Sequence, residues 1–112
     1  MAIAPVSVII PSYNRRDSVC IAIESALNQT TAPAQVIVID DGSTDDTTAV
    51  VQSRFPQVVL LQQTNRGVSA ARNAGIASAT QPWLAFLDSD DRWFSHKPVS
   101  YTHLTLPTIL LV

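Results

Sequence analysis

The chain has 112 residues, 46% of them hydrophobic and 14% charged, with a formal net charge of −2. That length accommodates one domain at most, and a short one for an α/β enzyme. No basic run is present to track a phosphate backbone, the apolar runs fall far short of the roughly 20 residues a bilayer requires, and the single cysteine, Cys20, excludes an internal disulfide and suits a reducing, cytoplasmic setting.

The opening MAIAPVSVIIPSYNRR lacks the leading positive charge and cleavage site of a signal peptide and reads as part of the fold. Within it, residues 6–10 are an apolar, β-branched run closed by Pro11, which predicts an inner strand of a parallel sheet. Ser12, Tyr13, Asn14, Arg15 and Arg16 form the loop after it. A helix is expected from Asp17 or Ser18, either of which can cap free amides, to about Gln29, because Val19, Ala22, Ile23, Ala26 and Leu27 share one face. Cys20 sits on that helix as a small hydrophobe, with no neighbour that would lower its pKa. QVIVI at 35–39 is the next strand and runs directly into Asp40, Asp41 and Gly42. A strand, helix and strand in so few residues make a crossover, hence parallel pairing.

Ser43 or Thr44 can cap a second helix, with Ala49, Val50, Val51 and Phe55 as its buried residues, and Pro56 ends it. Residues 58–61 supply a third strand. After the turn at Asn65, Arg66 and Gly67, residues 68–79 form a helix crowded with Ala, Ser and Gly, whose small side chains allow close approach to the sheet. Gly75 inside it costs about 1 kcal/mol relative to Ala, which packing explains. The fourth strand, WLAFL at 83–87, is apolar throughout and ends at once in Asp88, Ser89, Asp90 and Asp91. The order βαβαβαβ is that of an α/β, Rossmann-like parallel sheet.

The acids therefore lie at the carboxyl edge of the sheet, where open α/β folds bind ligands. Extended backbone from the strand would put Asp88 and Asp90 on one side and Ser89 on the other. Two such carboxylates suit a hard cation, Mg²⁺ or Mn²⁺, between them; a solvated, turn-forming cluster would look the same. Asp40 and Asp41 stand where an acid accepts hydrogen bonds from a ribose or base, although an Asp-Gly turn with a helix cap also accounts for them, and is sufficient for Asp40. The first turn contains no glycine, which disfavours a dinucleotide fold. Tyr13 there is either a ring for a base to lie against or a half-buried loop aromatic. Arg66 and Arg72 flank the start of the third helix, a favourable place for phosphate, or are surface arginines. Three successive strand ends thus converge on one edge.

Four segments, VSVIIPSYNR from Val6, VIVIDDGSTDDT from Val36, NRGVSAARNAG from Asn65 and WLAFLDSDDRW from Trp83, together resemble the family-2 inverting glycosyltransferases of the GT-A fold. The resemblance implies a nucleotide site of Pro11, Tyr13, Asp41, Arg72 and Asp88. Tyr13 would stack near the base, Asp41 would read a pyrimidine, Asp88 would hold the ribose or nucleotide, and Arg72 would reach toward the base or diphosphate. It also implies that Asp90 ligates a divalent metal, Mg²⁺ or Mn²⁺, on the diphosphate of a nucleoside-diphosphate sugar, with uridine the expected nucleoside. The acceptor, whether saccharide, lipid or protein, is not written in these residues. In the family the general base lies downstream of the metal motif, so none is assigned here. A non-catalytic nucleotide-binding domain and a phosphatase with an Asp-x-Asp nucleophile are the alternatives; the latter motif belongs after a first strand, where this chain has Pro11 and Ser12.

The likeness follows the chain as far as Lys97, so residues 1–97 are expected to form the nucleotide-sugar-binding part of a truncated glycosyltransferase domain. Residues 98–112 contain no Asp, Glu, Lys or Arg, lack helical periodicity and end in an apolar TILLV. They resemble a translated sequencing adapter and are expected to be a non-native or disordered tail.

Overall fold

A computed structural model describes residues 3–93 and 102–103. The expected 98–112 tail lies outside the described residues apart from that short second stretch. In chain order the elements are β1 (Ile3–Ser12), α1 (Arg16–Leu27), β2 (Ala32–Asp40), α2 (Thr47–Arg54), β3 (Val59–Gln62), α3 (Val68–Ser78), β4 (Trp83–Phe86) and β5 (Thr102–His103). The sheet order is β3-β2-β1-β4-β5. The first four strands are mutually parallel, as the crossovers require, and β5 pairs antiparallel with β4 through Trp83 and Leu84.

Alternation along the strands divides the core between the two sheet faces. Val6, Val8 and Ile10 of β1 join Val36 and Val38 of β2 beneath α1 and α2, where Val19, Ile23, Val51 and Phe55 meet them. On the other face, Ile9, Ile37, Ile39 and Leu84 pack against Ala71 and Ile76 of α3. With helices on both faces, the central strands have no solvated side, which is why their inner stretches, residues 8–10 and 36–39, are wholly apolar. The buried Ser7 is hydrogen-bonded to Gln35 Oε1 at 2.6 Å. Gly75 marks the tightest contact between layers: a Cβ there would stand 2.6 Å from Ile9 Cγ2 and 2.8 Å from Ile39 Cδ1. Packing is therefore the reason for this glycine.

Several local expectations are revised. Helix α1 begins at Arg16 with Arg15 at its cap and no side-chain cap bond, so neither Asp17 nor Ser18 caps it. Helix α2 begins at Thr47, later than a Ser43 or Thr44 cap would place it. Asp45 supplies the acceptor for its first turn, taking the Thr47 amide at 3.0 Å and the Thr47 hydroxyl. The Ser43 hydroxyl instead donates to Asp40 and accepts from the Asn14 backbone amide, and a side chain so committed is lost to the cap. Ala49 is exposed and Val50 only half-buried, because this two-turn helix presents Thr47 and Val51 to the core. Trp83 opens β4 at 38% exposure, whereas Leu84 and Ala85 are fully buried.

Candidate functional site

Strand β1 is the point where the connectivity reverses: β2 and β3 are added on one side of it and β4 on the other. At such a switch point the loops leaving adjacent strands diverge and open a crevice at their carboxyl ends. Here the crevice is a cleft of about 400 Å³, within the range of small-molecule sites. Its walls include Pro11, Ser12, Tyr13 and Arg15 from the end of β1, Asp41 after β2, Asn65, Val68, Ala71 and Arg72 around the start of α3, and Asp88, Ser89 and Asp90 after β4. All six residues singled out from the sequence as nucleotide or metal ligands line this one cleft.

The acidic turn is held at both ends. Leu87, 2% exposed, is anchored in the core and donates its amide to Ile9 O at 3.1 Å, continuing the β4 pairing by one residue. On the far side Trp93, 7% exposed, is buried beneath α1 and donates its amide to Ser25 Oγ at 3.0 Å. Between these anchors the chain reverses, with the Asp91 amide donating to Asp88 O at 3.0 Å. The acids thus stand in a turn and not on extended strand, yet the outcome expected of alternation survives: Asp88 and Asp90 are exposed and Ser89 is buried.

Asp88 and Asp90 each face an arginine. Arg72 Nη2 lies 3.2 Å from Asp88 Oδ1, and Arg15 Nη1 lies 3.9 Å from Asp90 Oδ2. Half-exposed pairs of this kind contribute little, roughly 0–1 kcal/mol, so the guanidinium groups are available to an anionic ligand. Arg15 received no role from the sequence; its place two residues after Tyr13, on the same loop, was the available signal. Arg66 is not among the described residues of the cleft wall, and its side chain donates to Thr64 Oγ1 at 3.4 Å.

Asp41 is built differently. It is 6% exposed and accepts the Gln63 amide group at 2.8 Å and the Arg66 backbone N–H at 2.7 Å on Oδ1, and the Gly67 N–H at 2.9 Å on Oδ2. Burial pushes its pKa up, but the bonds from Arg66, Gln63 and Gly67 together outweigh that and hold it below the ordinary carboxylate value. Two carboxylate oxygens offer about four acceptor positions; three are filled by protein, which leaves Oδ2 able to accept one more donor. Asp40, 3% exposed, turns to Ser43, whose amide it accepts at 3.0 Å along with the Ser43 hydroxyl, so it is the turn-forming acid of the pair. Ser12 is 3% exposed, and its hydroxyl has no hydrogen-bond partner among the described residues. Tyr13, at 44% exposure, presents its ring at the mouth. Cys20, away from the cleft, is buried, and that burial raises its thiol pKa, as expected of a packing residue.

The chain offers a divalent cation two hard oxygen donors at this turn, and no group of three or more His, Cys, Asp or Glu side chains is gathered for a metal among the described residues. That donor set fits Mg²⁺ or Mn²⁺ held by one or two carboxylates, with water and ligand phosphate completing the shell, and does not fit an all-protein metal cage.

The model of the family described as Glycosyl transferase family 2 matches residues 7–97. The chain belongs to that family. Among its family-2 relatives, the Escherichia coli UDP-Glc:alpha-D-GlcNAc-diphosphoundecaprenol beta-1,3-glucosyltransferase WfaP is 37% identical over 100 residues, 88% of this chain and 40% of the relative. Two solved structures share the GT-A fold seen here. S. aureus TarS 1-349 in complex with UDP superposes with a TM-score of 0.68 at 27% identity, over 86% of this chain and 29% of that one. The mannosyltransferase PcManGT from Pyrobaculum calidifontis, in complex with GDP-Man and Mn²⁺, gives a TM-score of 0.70 at 25% identity, over 83% of this chain and 29% of that one. The chain spans 40% of the length of WfaP and 13% of that of the Escherichia coli chondroitin synthase, to which it is 39% identical over 89 residues. No helix among its described residues is long and apolar enough to cross a membrane.

Proposed function

We propose that residues 1–97 are the nucleotide-sugar-binding portion of a metal-dependent, inverting glycosyltransferase whose donor is a uridine-diphosphate sugar. The observation that carries this reading is the pairing of Asp88 and Asp90 with Arg72 and Arg15 across a cleft that also contains Tyr13 and Asp41. The cleft wall carries an aromatic ring and a carboxylate with a free acceptor position, which suit a base bearing a ring N–H, and two acids with two guanidinium groups, which suit a diphosphate with its cation. The UDP complex of TarS and the Mn²⁺ complex of PcManGT support the two halves of this assignment.

In this reading Tyr13 lies against the base, Pro11 forms the cleft wall beside it, and Asp41 Oδ2 accepts the ring N–H. Asp88 accepts from the ribose hydroxyls, Asp90 ligates the metal, and Arg72 and Arg15 leave their acids for the diphosphate oxygens. In transfer, an acceptor oxygen forms a bond to the anomeric carbon as the bond to the diphosphate breaks on the opposite face. The acceptor proton passes to a general base. Asp90 would hold the divalent cation, which would supply Lewis-acid stabilisation of the charge that gathers on the departing diphosphate. Asp88, Asp90 and Asp91 belong to the leaving-group side of that reaction, so none of them is assigned as the base. The acceptor is left open.

Calorimetric titration of UDP into the wild-type chain and into Asp90→Asn, with and without Mn²⁺, tests the reading. Binding should require Mn²⁺ in the wild type and be lost in the variant, with circular dichroism unchanged. Equal affinity in all four titrations would overturn it. The 98–112 tail is tested separately, by sequencing the source DNA across the codons for Lys97 and Pro98: a frame that continues into charged, helical sequence identifies the tail as foreign.

A further inference from the structure

Asn14 is the only described residue other than glycine with a positive φ, at 50°. It stands between two residues of the cleft wall, Tyr13 and Arg15, and does not line the cleft itself. Left-handed backbone is uncommon for a side-chain-bearing residue, and Asn is among the few that adopt it readily. The side chain is turned away from the cleft toward the loop between β2 and α2. There Oδ1 accepts the Thr44 amide at 2.7 Å and the Asp45 amide at 3.3 Å. The Asn14 amide in turn donates to Ser43 Oγ at 2.8 Å, and Ser43 is itself tied to Asp40 at the end of β2. Two loops that share no secondary structure are therefore joined by reciprocal bonds at Asn14, beside the exposed ion pair of Arg16 with Asp46 at 3.1 Å.

Resting on the nucleotide-binding reading above, we propose that Asn14 is a positioning residue, a latch that locks the β1–α1 loop onto the β2–α2 loop and so holds Tyr13 and Arg15 in the cleft wall. The bonds themselves are exposed, so their net contribution to global stability is modest; their consequence is local. Without the Oδ1 acceptor the Tyr13 to Arg15 segment keeps the Asn14 backbone bond to Ser43 and two exposed ion pairs, Arg15 with Asp90 at 3.9 Å and the following Arg16 with Asp46 at 3.1 Å. These hold it weakly, and it samples positions in which the ring and the guanidinium group no longer face the ligand. The cost then appears in binding, because each binding event has to restore an arrangement that the latch otherwise keeps populated.

Two substitutions separate the latch from the backbone it sits on. Asn14→Gly keeps the left-handed conformation without strain and removes the acceptor. Asn14→Asp keeps an oxygen in the same place. At a temperature where circular dichroism shows all three chains folded, UDP affinity in Mn²⁺ should fall about tenfold or more in Asn14→Gly, equivalent to about 1.4 kcal/mol, and stay within about threefold of wild type in Asn14→Asp. Amide hydrogen exchange at Thr44 and Asp45 should quicken in the glycine variant and recover in the aspartate variant. Wild-type affinity in Asn14→Gly, or a loss in Asn14→Asp as large as in the glycine variant, would overturn the latch while leaving the nucleotide site standing. Absence of UDP binding in the wild type would instead sink the nucleotide reading and the binding role with it; the exchange rates then decide whether the latch exists as a structural joint.

Discussion

Residues of one chemical type do unlike work in this chain, and what separates them is the number of donors each one meets. Asp88 and Asp90 each face one arginine and remain exposed, whereas Asp41 is buried under three hydrogen bonds and Asp40 is given over to Ser43. For Asp41 the sign of the pH effect follows from its depressed pKa. The native carboxylate resists protonation more than the unfolded one, so its contribution is fully present above the ordinary value of 3.8 and is lost as pH falls below it through the native value. Asp45, lowered chiefly by the Thr47 hydroxyl, acts in the same direction. Thermal melts of wild type and Asp41→Asn from neutral pH to about pH 2 should therefore converge as pH falls, because only the wild type loses the Asp41 contribution. Parallel curves would show that the carboxylate does not hold the β3–α3 loop. Truncation to Asp41→Ala leaves the Arg66 and Gly67 amides without their acceptor, at a cost of about 1–3 kcal/mol.

At the scale of elements, α3 decides how wide the cleft is. Its start contributes Val68, Ala71 and Arg72 to the wall, and Gly75, one turn further on, sets its distance from β1 and β2. In Gly75→Ala the added methyl meets Ile9 and Ile39 well inside contact distance, so overpacking, at about 1–3 kcal/mol, exceeds the roughly 1 kcal/mol gained in helix propensity. Either Ile9 and Ile39 repack or the helix lifts, and a lift carries Arg72 with it. Urea denaturation should show a net loss of stability, accompanied by weaker UDP binding; a variant as stable as wild type would mean that the layers have room to spare. The strands and this helix were legible because their patterns are long and apolar. The cap of α2 was not, since Ser43 was drawn to Asp40, 3 positions away, and to the Asn14 backbone amide, 29 positions away.

The whole molecule enters through Trp93. Leu87 and Trp93 pin the two ends of the acidic turn into the core, so the position of Asp88 and Asp90 depends on packing beneath α1. Trp93→Ala should cost about 3–5 kcal/mol, a large fraction of what a domain of this size possesses, and should weaken Mn²⁺-dependent UDP binding more than Trp93→Phe does. Chemical denaturation checks the first effect and calorimetry the second. If Trp93→Ala unfolded with the wild type, the turn would be holding its shape locally and the anchor would be irrelevant.

The sequence by itself determined the α/β class, the alternation of strands and helices, and the convergence of Tyr13, Asp41, Arg72, Asp88 and Asp90 on one sheet edge, whereas Pro11 was implied by the family resemblance alone. Those properties are encoded in periodicity and chain order, which act over a few residues at a time. Only the tertiary structure decided that Arg15 faces Asp90, that Asp41 spends three of its acceptor positions on the β3–α3 loop, that Ser12 buries an unpartnered hydroxyl within the described residues, and that Asn14 bridges two loops. Each of these depends on loops that leave different strands of the sheet. Their relative placement follows from the order β3-β2-β1-β4 and the packing of helices on both faces, and no local pattern carries it.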